Sequence, residues 1–158
     1  MNYIILAPYA RKPDMNIINP KNFPAEWWEE LVIKLQEKNY KIYQVGIDGD
    51  YPVADNITML LNVNLYDDTF LKLLRESVTF ISVDTFLPHF AAYNNIWGIV
   101  LWVVTDPLIY GYEQNKNLLK SRGTLAPDQF GSEKTYLKNG DKYYIAVEDV
   151  LEVIYEHN

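Results

Sequence analysis

Two apolar runs, Thr79–Val83 and Ile96–Val104, flank an Asp-Thr pair and a short apolar segment, and this arrangement leaves few folds open. The first run, TFISV, is β-branched and aromatic, which suits a strand buried on both faces of a parallel sheet. Polarity changes abruptly at Asp84-Thr85. Pro88 is tolerated in the first turn of a helix, and Phe90, Ala91 and Ala92 can pack closely on a sheet before Asn94-Asn95 stop it. Ile96–Val104 supplies the next strand, ended by Thr105-Asp106-Pro107. In open α/β sheets ligands lie beyond the carboxyl ends of the strands, where Asp84-Thr85 and Thr105-Asp106 both emerge.

The remainder of the chain repeats this alternation. Tyr3–Pro8 reads as a short buried strand, and Pro13, Asn16, Asn19 and Pro20 mark a long irregular loop after it. In Ala25–Lys38, Trp28, Leu31, Val32 and Leu35 recur at i, i+3, i+4 and i+7, with glutamates early and lysines late, which predicts an amphipathic helix. Lys41–Val45 is a second strand, closed by Gly46 and the acidic turn Asp48-Gly49-Asp50. A short strand is expected near Leu60–Val63, and Asp67-Asp68 cap a helix over Thr69–Glu76. Leu108–Lys120 reads as a loop leading into a weak helix, and residues 121–140 show no periodicity. Val147, Val150, Leu151 and Ile154 form the stripe of a C-terminal helix over about 147–157. The order points to one Rossmann-like, three-layer α/β domain over residues 1–158 with a mainly parallel sheet.

Composition narrows the function classes. A formal charge of −7 argues against tracking a nucleic-acid backbone, which requires many basic contacts. Positive charge is concentrated locally: between Tyr9 and Pro24 stand Arg11, Lys12 and Lys21 against Asp14, so this loop is +2 in a chain otherwise at −9. With no cysteine and two histidines, neither thiolate sites nor a histidine cluster can be built. No run reaches the length of a membrane span, and the N-terminus lacks a basic lead, so a soluble, cytoplasmic protein is expected. A G-x-S-x-G elbow, a G-x-x-x-x-G-K loop and a G-x-G-x-x-G fingerprint are all absent.

Three motifs in order then resemble the C-terminal, nucleotide-sugar-binding half of the ADP-heptose:lipopolysaccharide heptosyltransferase family, a GT-B glycosyltransferase group. Lys21-Asn22-Phe23-Pro24 with Trp27/Trp28 and Leu31 is similar to that family's K-x-W-P followed by W and L. Asp84-Thr85-Phe86-Leu87-Pro88-His89-Phe90-Ala91-Ala92 is similar to D-S/T-G-x-x-H-L-A-A, and Thr105-Asp106-Pro107 to T-D-P. The match runs from Tyr3 to about Asn117, and amounts to about half of a family enzyme. It implies that Lys21 meets the diphosphate of a nucleotide sugar, that Asp84 accepts hydrogen bonds from sugar hydroxyls, and that Thr85 faces phosphate at a helix start. His89 would support the same turn, Asp48 would lie near the ribose, and Arg11, Lys12 and Thr105 complete the expected contacts. The donor is a substrate, with no metal or other cofactor expected. The catalytic base and acceptor half would come from a partner chain or domain, or from a homo-oligomer.

One departure is plain in the residues. The family's glycine after the Asp-Ser/Thr pair is Phe86 here, and a side chain at that point bears on how closely a diphosphate approaches the backbone. The bland readings also stand: Asp84 as a helix cap, Lys21 as a loop lysine, and His89 as a packed histidine. A domain that kept the fold as a non-catalytic binding module is the alternative function.

Overall fold

The computed structural model describes residues 2–10, 19–130 and 143–157. Six strands form one sheet: β1 (Tyr3–Ala7), β2 (Lys41–Gly46), β3 (Thr58–Leu61), β4 (Thr79–Val83), β5 (Ile99–Trp102) and β6 (Lys116–Leu119). Their spatial order is β3-β2-β1-β4-β5-β6, and every neighbouring pair is parallel. Parallel strands require crossovers, and helices α1 (Ala25–Glu37), α2 (Asp68–Glu76), α3 (Phe86–Tyr93), α4 (Pro107–Tyr110) and α5 (Val147–His157) flank the sheet.

The three layers follow from the strand period of two. Ile4 and Leu6 of β1 join Ile81, Val83, Ile99 and Leu101 on one face, where α1 packs with Trp28, Leu31, Val32 and Leu35 and α5 with Val150 and Ile154. Tyr3, Ile5 and Ala7 point to the other face, with Phe80, Val100 and Trp102, beneath Phe70 and Leu74 of α2 and Leu87 and Ala91 of α3. Strands covered on both faces read as unbroken apolar runs, so β1, β4 and β5 were visible in the sequence. The four fully buried side chains of α1 each contribute roughly 1.5–3 kcal/mol of transfer free energy. Trp27 Nε1 donates to Ile145 O (2.7 Å), and Lys34 Nζ meets Glu148 Oε1 (2.5 Å), tying the C-terminal helix to α1.

Three expectations are corrected. The segment after Asp106 holds only the short α4, and Lys116–Leu119 is an edge strand rather than a weak helix. With only Leu118 buried, between half-buried neighbours, it carries little hydrophobic signal. β3 runs over Thr58–Leu61 instead of Leu60–Val63, because Asn62 adopts a positive φ (54°) and ends the extended chain there. Within Ile96–Val104, regular pairing is confined to Ile99–Trp102. Gly98 precedes that strand because a Cβ there would lie 2.2 Å from the Phe80 ring.

Candidate functional site

The strand order reverses between β1 and β4: crossovers build outward from β1 to β3 on one side and from β4 to β6 on the other. The chain therefore parts at the carboxyl ends of β1 and β4, the crevice where open α/β sheets take ligands. A cavity of about 660 Å³ lies there, lined by Ala7, Tyr9 and Ala10 after β1, Ile47 and Asp50 after β2, Asn62 and Leu65 after β3, and Thr85 and Phe86 after β4. Its size is that of a small-molecule site.

Beside the cavity stands a charged network. Lys21 Nζ is 2.9 Å from Asp84 Oδ2, with side-chain exposures of 30% and 9%. Thr105 Oγ1 donates to the same oxygen at 2.8 Å. Both recorded contacts fall on Oδ2. The pair borders the cavity wall from two sides: Asp84 precedes Thr85, and the neighbouring Asn22 accepts a hydrogen bond from Ala10 N at 2.7 Å. Lys21 is itself held by a local turn, its N–H donating to Asn19 Oδ1 at 3.0 Å. Side chains of Asn are suited to such turns, which is why this loop presents its lysine in one place.

The opposite wall is a hydrogen-bonded turn. Ile47 N donates to Asp50 Oδ2 at 2.8 Å, and Gly49 supplies the left-handed residue that closes the turn (φ 91°). Asp48 faces away, exchanging bonds with Asn62, whose Nδ2 donates to Asp48 Oδ1 at 2.9 Å. Fully buried Gln44 braces the segment behind it: its Nε2 donates to Tyr51 O (2.9 Å) and its Oε1 accepts from Val53 N (2.8 Å). Tyr9 donates its hydroxyl to Tyr51 O at 3.1 Å, and burial together with the charge of Asp50 raises its pKa, so it stays a donor.

A second acid closes the β5 side. Asp106 caps α4 by accepting from Leu108 N and receives both guanidinium arms of Arg122 at 3.1 and 2.6 Å. The Arg122 bonds hold its carboxyl below the ordinary range, aided by Leu108 N and opposed by burial. Gln129 completes the arrangement, accepting from Asp106 N and donating to Val104 O and Ala126 O. Residues 121–130 are thereby pinned over the end of β5. Sequence reasoning missed Arg122 and Gln129, which belong to a stretch without periodicity and act through contacts 16 to 25 residues away.

The structure thus brings Lys21, Asp84 and Thr105 into one network and places Thr85 in the cavity wall. Asp48 stands on the β2–β3 rim with Asn62. His89, on α3, is exposed and shares a 2.7 Å hydrogen bond with the Tyr112 hydroxyl. Arg11 and Lys12 lie outside the described residues. Phe86, the first residue of α3, is 38% exposed and forms one side of the open cavity. Among the described residues no cluster of three or more His, Cys, Asp or Glu could hold a metal ion, and no helix is long and apolar enough to cross a membrane.

The sequence model of glycosyltransferase family 9 (heptosyltransferase) matches residues 1–138. Among solved structures, E. coli heptosyltransferase WaaC with ADP is similar over 99% of this chain and 44% of that one, at 18% identity and a TM-score of 0.66. E. coli ADP-heptose lps heptosyltransferase II is similar over 99% and 46%, at 16% identity and a TM-score of 0.66. The dodecameric iron-containing heptosyltransferase TibC in complex with ADP-D-beta-D-heptose is similar over 99% and 45%, at 16% identity and a TM-score of 0.71. The likeness at these identities is one of fold, and the chain spans less than half the length of each of these structures. No curated protein sequence matches it.

Proposed function

The chain belongs to glycosyltransferase family 9, and from that premise we propose that it binds a nucleotide diphosphate sugar and contributes to glycosyl transfer. The observation that supports this reading best is the Lys21–Asp84–Thr105 network standing beside a cavity at the β1/β4 crevice. An ammonium point charge suits a diphosphate, and Lys21 is partly exposed, so it can exchange its contact with Asp84 for one with phosphate. Asp84 Oδ1, on which no hydrogen bond falls among the described residues, is an acceptor for a sugar hydroxyl. Thr85 sits at the N-terminus of α3, where the helix dipole favours the negative charge that builds on a departing diphosphate. On this reading the departing group is stabilised by side chains and helix dipole with no metal or other cofactor. The acceptor half and the base come from a partner chain or domain, and a homo-oligomer is one such arrangement.

Relatives of this fold were solved with ADP and with ADP-D-beta-D-heptose, so ADP-heptose is the first probe. Calorimetric titration with ADP-heptose and a panel of other nucleotide sugars should give saturable binding that Lys21→Ala weakens. Absence of binding to the wild type across the panel refutes the proposal. A second reading, a binding module without transfer activity, is favoured by one feature: Lys21 is already neutralised by Asp84. Binding without turnover when the acceptor half is supplied would select it.

A further inference from the structure

The two edges of the sheet are built differently. β6 is bracketed by Lys116 and Lys120, and charge of that kind keeps an edge strand from pairing. β3 has no such guard: from Ile57 to Asn64 the chain reads ITMLLNVN, without a charge, a proline or a glycine. Its open side follows from its closed one. Asn62 N donates to Gly46 O of β2 at 2.9 Å. In a parallel ladder a residue turns both its N–H and its C=O to one neighbour and the next residue turns both the other way, so Met59 and Leu61 present theirs to the open edge. Among the described residues no strand pairs there, and Leu61 is 44% exposed.

Along this edge lies a groove of about 350 Å³ between β3 and α2. Leu60, Val63, Phe70 and Leu73 give it an apolar lining, and Asp67, Lys72 and Glu76 a charged one. Free backbone groups beside a helix-walled apolar groove suit an added strand: the ladder holds its backbone, and the groove receives every second side chain. Charge selects the strand. Lys72 stands 3.9 Å from Glu76, whereas Asp67, which caps α2 by accepting from Thr69 N, pairs with no cation among the described residues. α2 starts at the carboxyl end of β3 and ends just before β4 begins. A second copy paired antiparallel would therefore set Asp67 of one chain against Glu76 of the other, which disfavours a copy and favours a basic segment.

We propose that the β3 edge is a docking site for an extended segment of another protein, running antiparallel to β3, basic at its amino end and apolar at alternate positions. Antiparallel pairing is the more stable per residue, and it brings the amino end of the segment beside Asp67. Met59 and Leu61 offer the backbone donors and acceptors, and the alternate apolar side chains enter the groove toward Leu60 and Leu73. This surface is separate from the cavity at the β1/β4 crevice, with which it shares Val63.

The probe is a labelled peptide of about ten residues that opens with two lysines and continues with valine and threonine in alternation. Fluorescence anisotropy should show saturable binding, and the Met59 and Leu61 amides should gain protection from hydrogen exchange. The same peptide opened by two glutamates should bind several-fold more weakly, and Asp67→Asn, which keeps the helix cap, should narrow that gap. Leu61→Pro removes one outward N–H and leaves the ladder to β2 intact, so it should weaken binding about tenfold or more with the melting temperature close to the wild type. Leu61→Lys, which gives β3 the guard that β6 has, should weaken it as well and serves if the proline variant does not fold. Absence of binding at a peptide concentration of about 1 mM, or full retention in both Leu61 variants, overturns the proposal. A dimer of the free chain in sedimentation that the Leu61 variants dissolve would assign the edge to a second copy and overturn the choice of partner.

Discussion

The ion pair between Lys21 and Asp84 admits a quantitative test through a double-mutant cycle with Lys21→Ala, Asp84→Asn and the double variant. At 2.9 Å, Coulomb's law gives about 1.4 kcal/mol in water and about 6 kcal/mol at an effective dielectric of 20. Neither limit applies. Asp84 is almost wholly withdrawn from water while Lys21 keeps 30% of its side-chain exposure, so screening and desolvation bring the net coupling to about 1–2 kcal/mol. Lys21→Ala should cost more than Asp84→Asn, because it leaves a carboxylate in a buried position with only the Thr105 hydroxyl on Oδ2. For a chain of this size, 1 kcal/mol moves the melting temperature by about 2–4 °C, so both differences are measurable by thermal and denaturant unfolding. Repeating the cycle at saturating nucleotide should reduce the coupling, as Lys21 transfers its charge to phosphate. Additivity within about 0.5 kcal/mol in the free protein would refute the claim that the pair organises this end of the sheet.

Three further outcomes follow from the packing and charge. Because Asp106 has a depressed carboxyl pKa, its contribution is complete above the ordinary carboxylate range and fades as pH falls through the folded value; acid unfolding of Asp106→Asn should therefore show a shallower loss of stability below about pH 4 than the wild type. Gln44→Leu orphans Val53 N and leaves Tyr51 O with the Tyr9 hydroxyl alone, and should destabilise by about 1–3 kcal/mol in urea titrations while distorting the β2 side of the cavity. Gly98→Ala drives a Cβ into the Phe80 ring and should cost at least about 1–3 kcal/mol, with Phe80→Leu in the same chain recovering part of it.

Legibility in the sequence tracked burial. β1, β4, β5 and α1 announced themselves because sheets covered on both faces and helices with one apolar stripe impose strong periodicities, and their bounds agree to within a few residues. The edge strand Lys116–Leu119 was hidden because only one of its residues is buried. The pairing of Lys21 with Asp84 could be anticipated from an ordered motif set. The cavity's far wall could not: Tyr9, Asp50 and Phe86 converge only through the strand order, which no local pattern encodes. Likewise the Asp106–Arg122–Gln129 network assembles residues from a stretch whose composition signals only loop.

The reversal of strand order has a mechanical side. Strands β1–β3 build one three-stranded block and β4–β6 the other, and within the sheet they meet along a single seam, the β1–β4 ladder. A molecule lodged over that seam touches Ala7 and Tyr9 from one block and Thr85 and Phe86 from the other, and so acts as a clasp. At a hundred times its dissociation constant it would add about 2.7 kcal/mol to the folded state, which makes a melting curve a report on occupancy that needs no acceptor and no turnover.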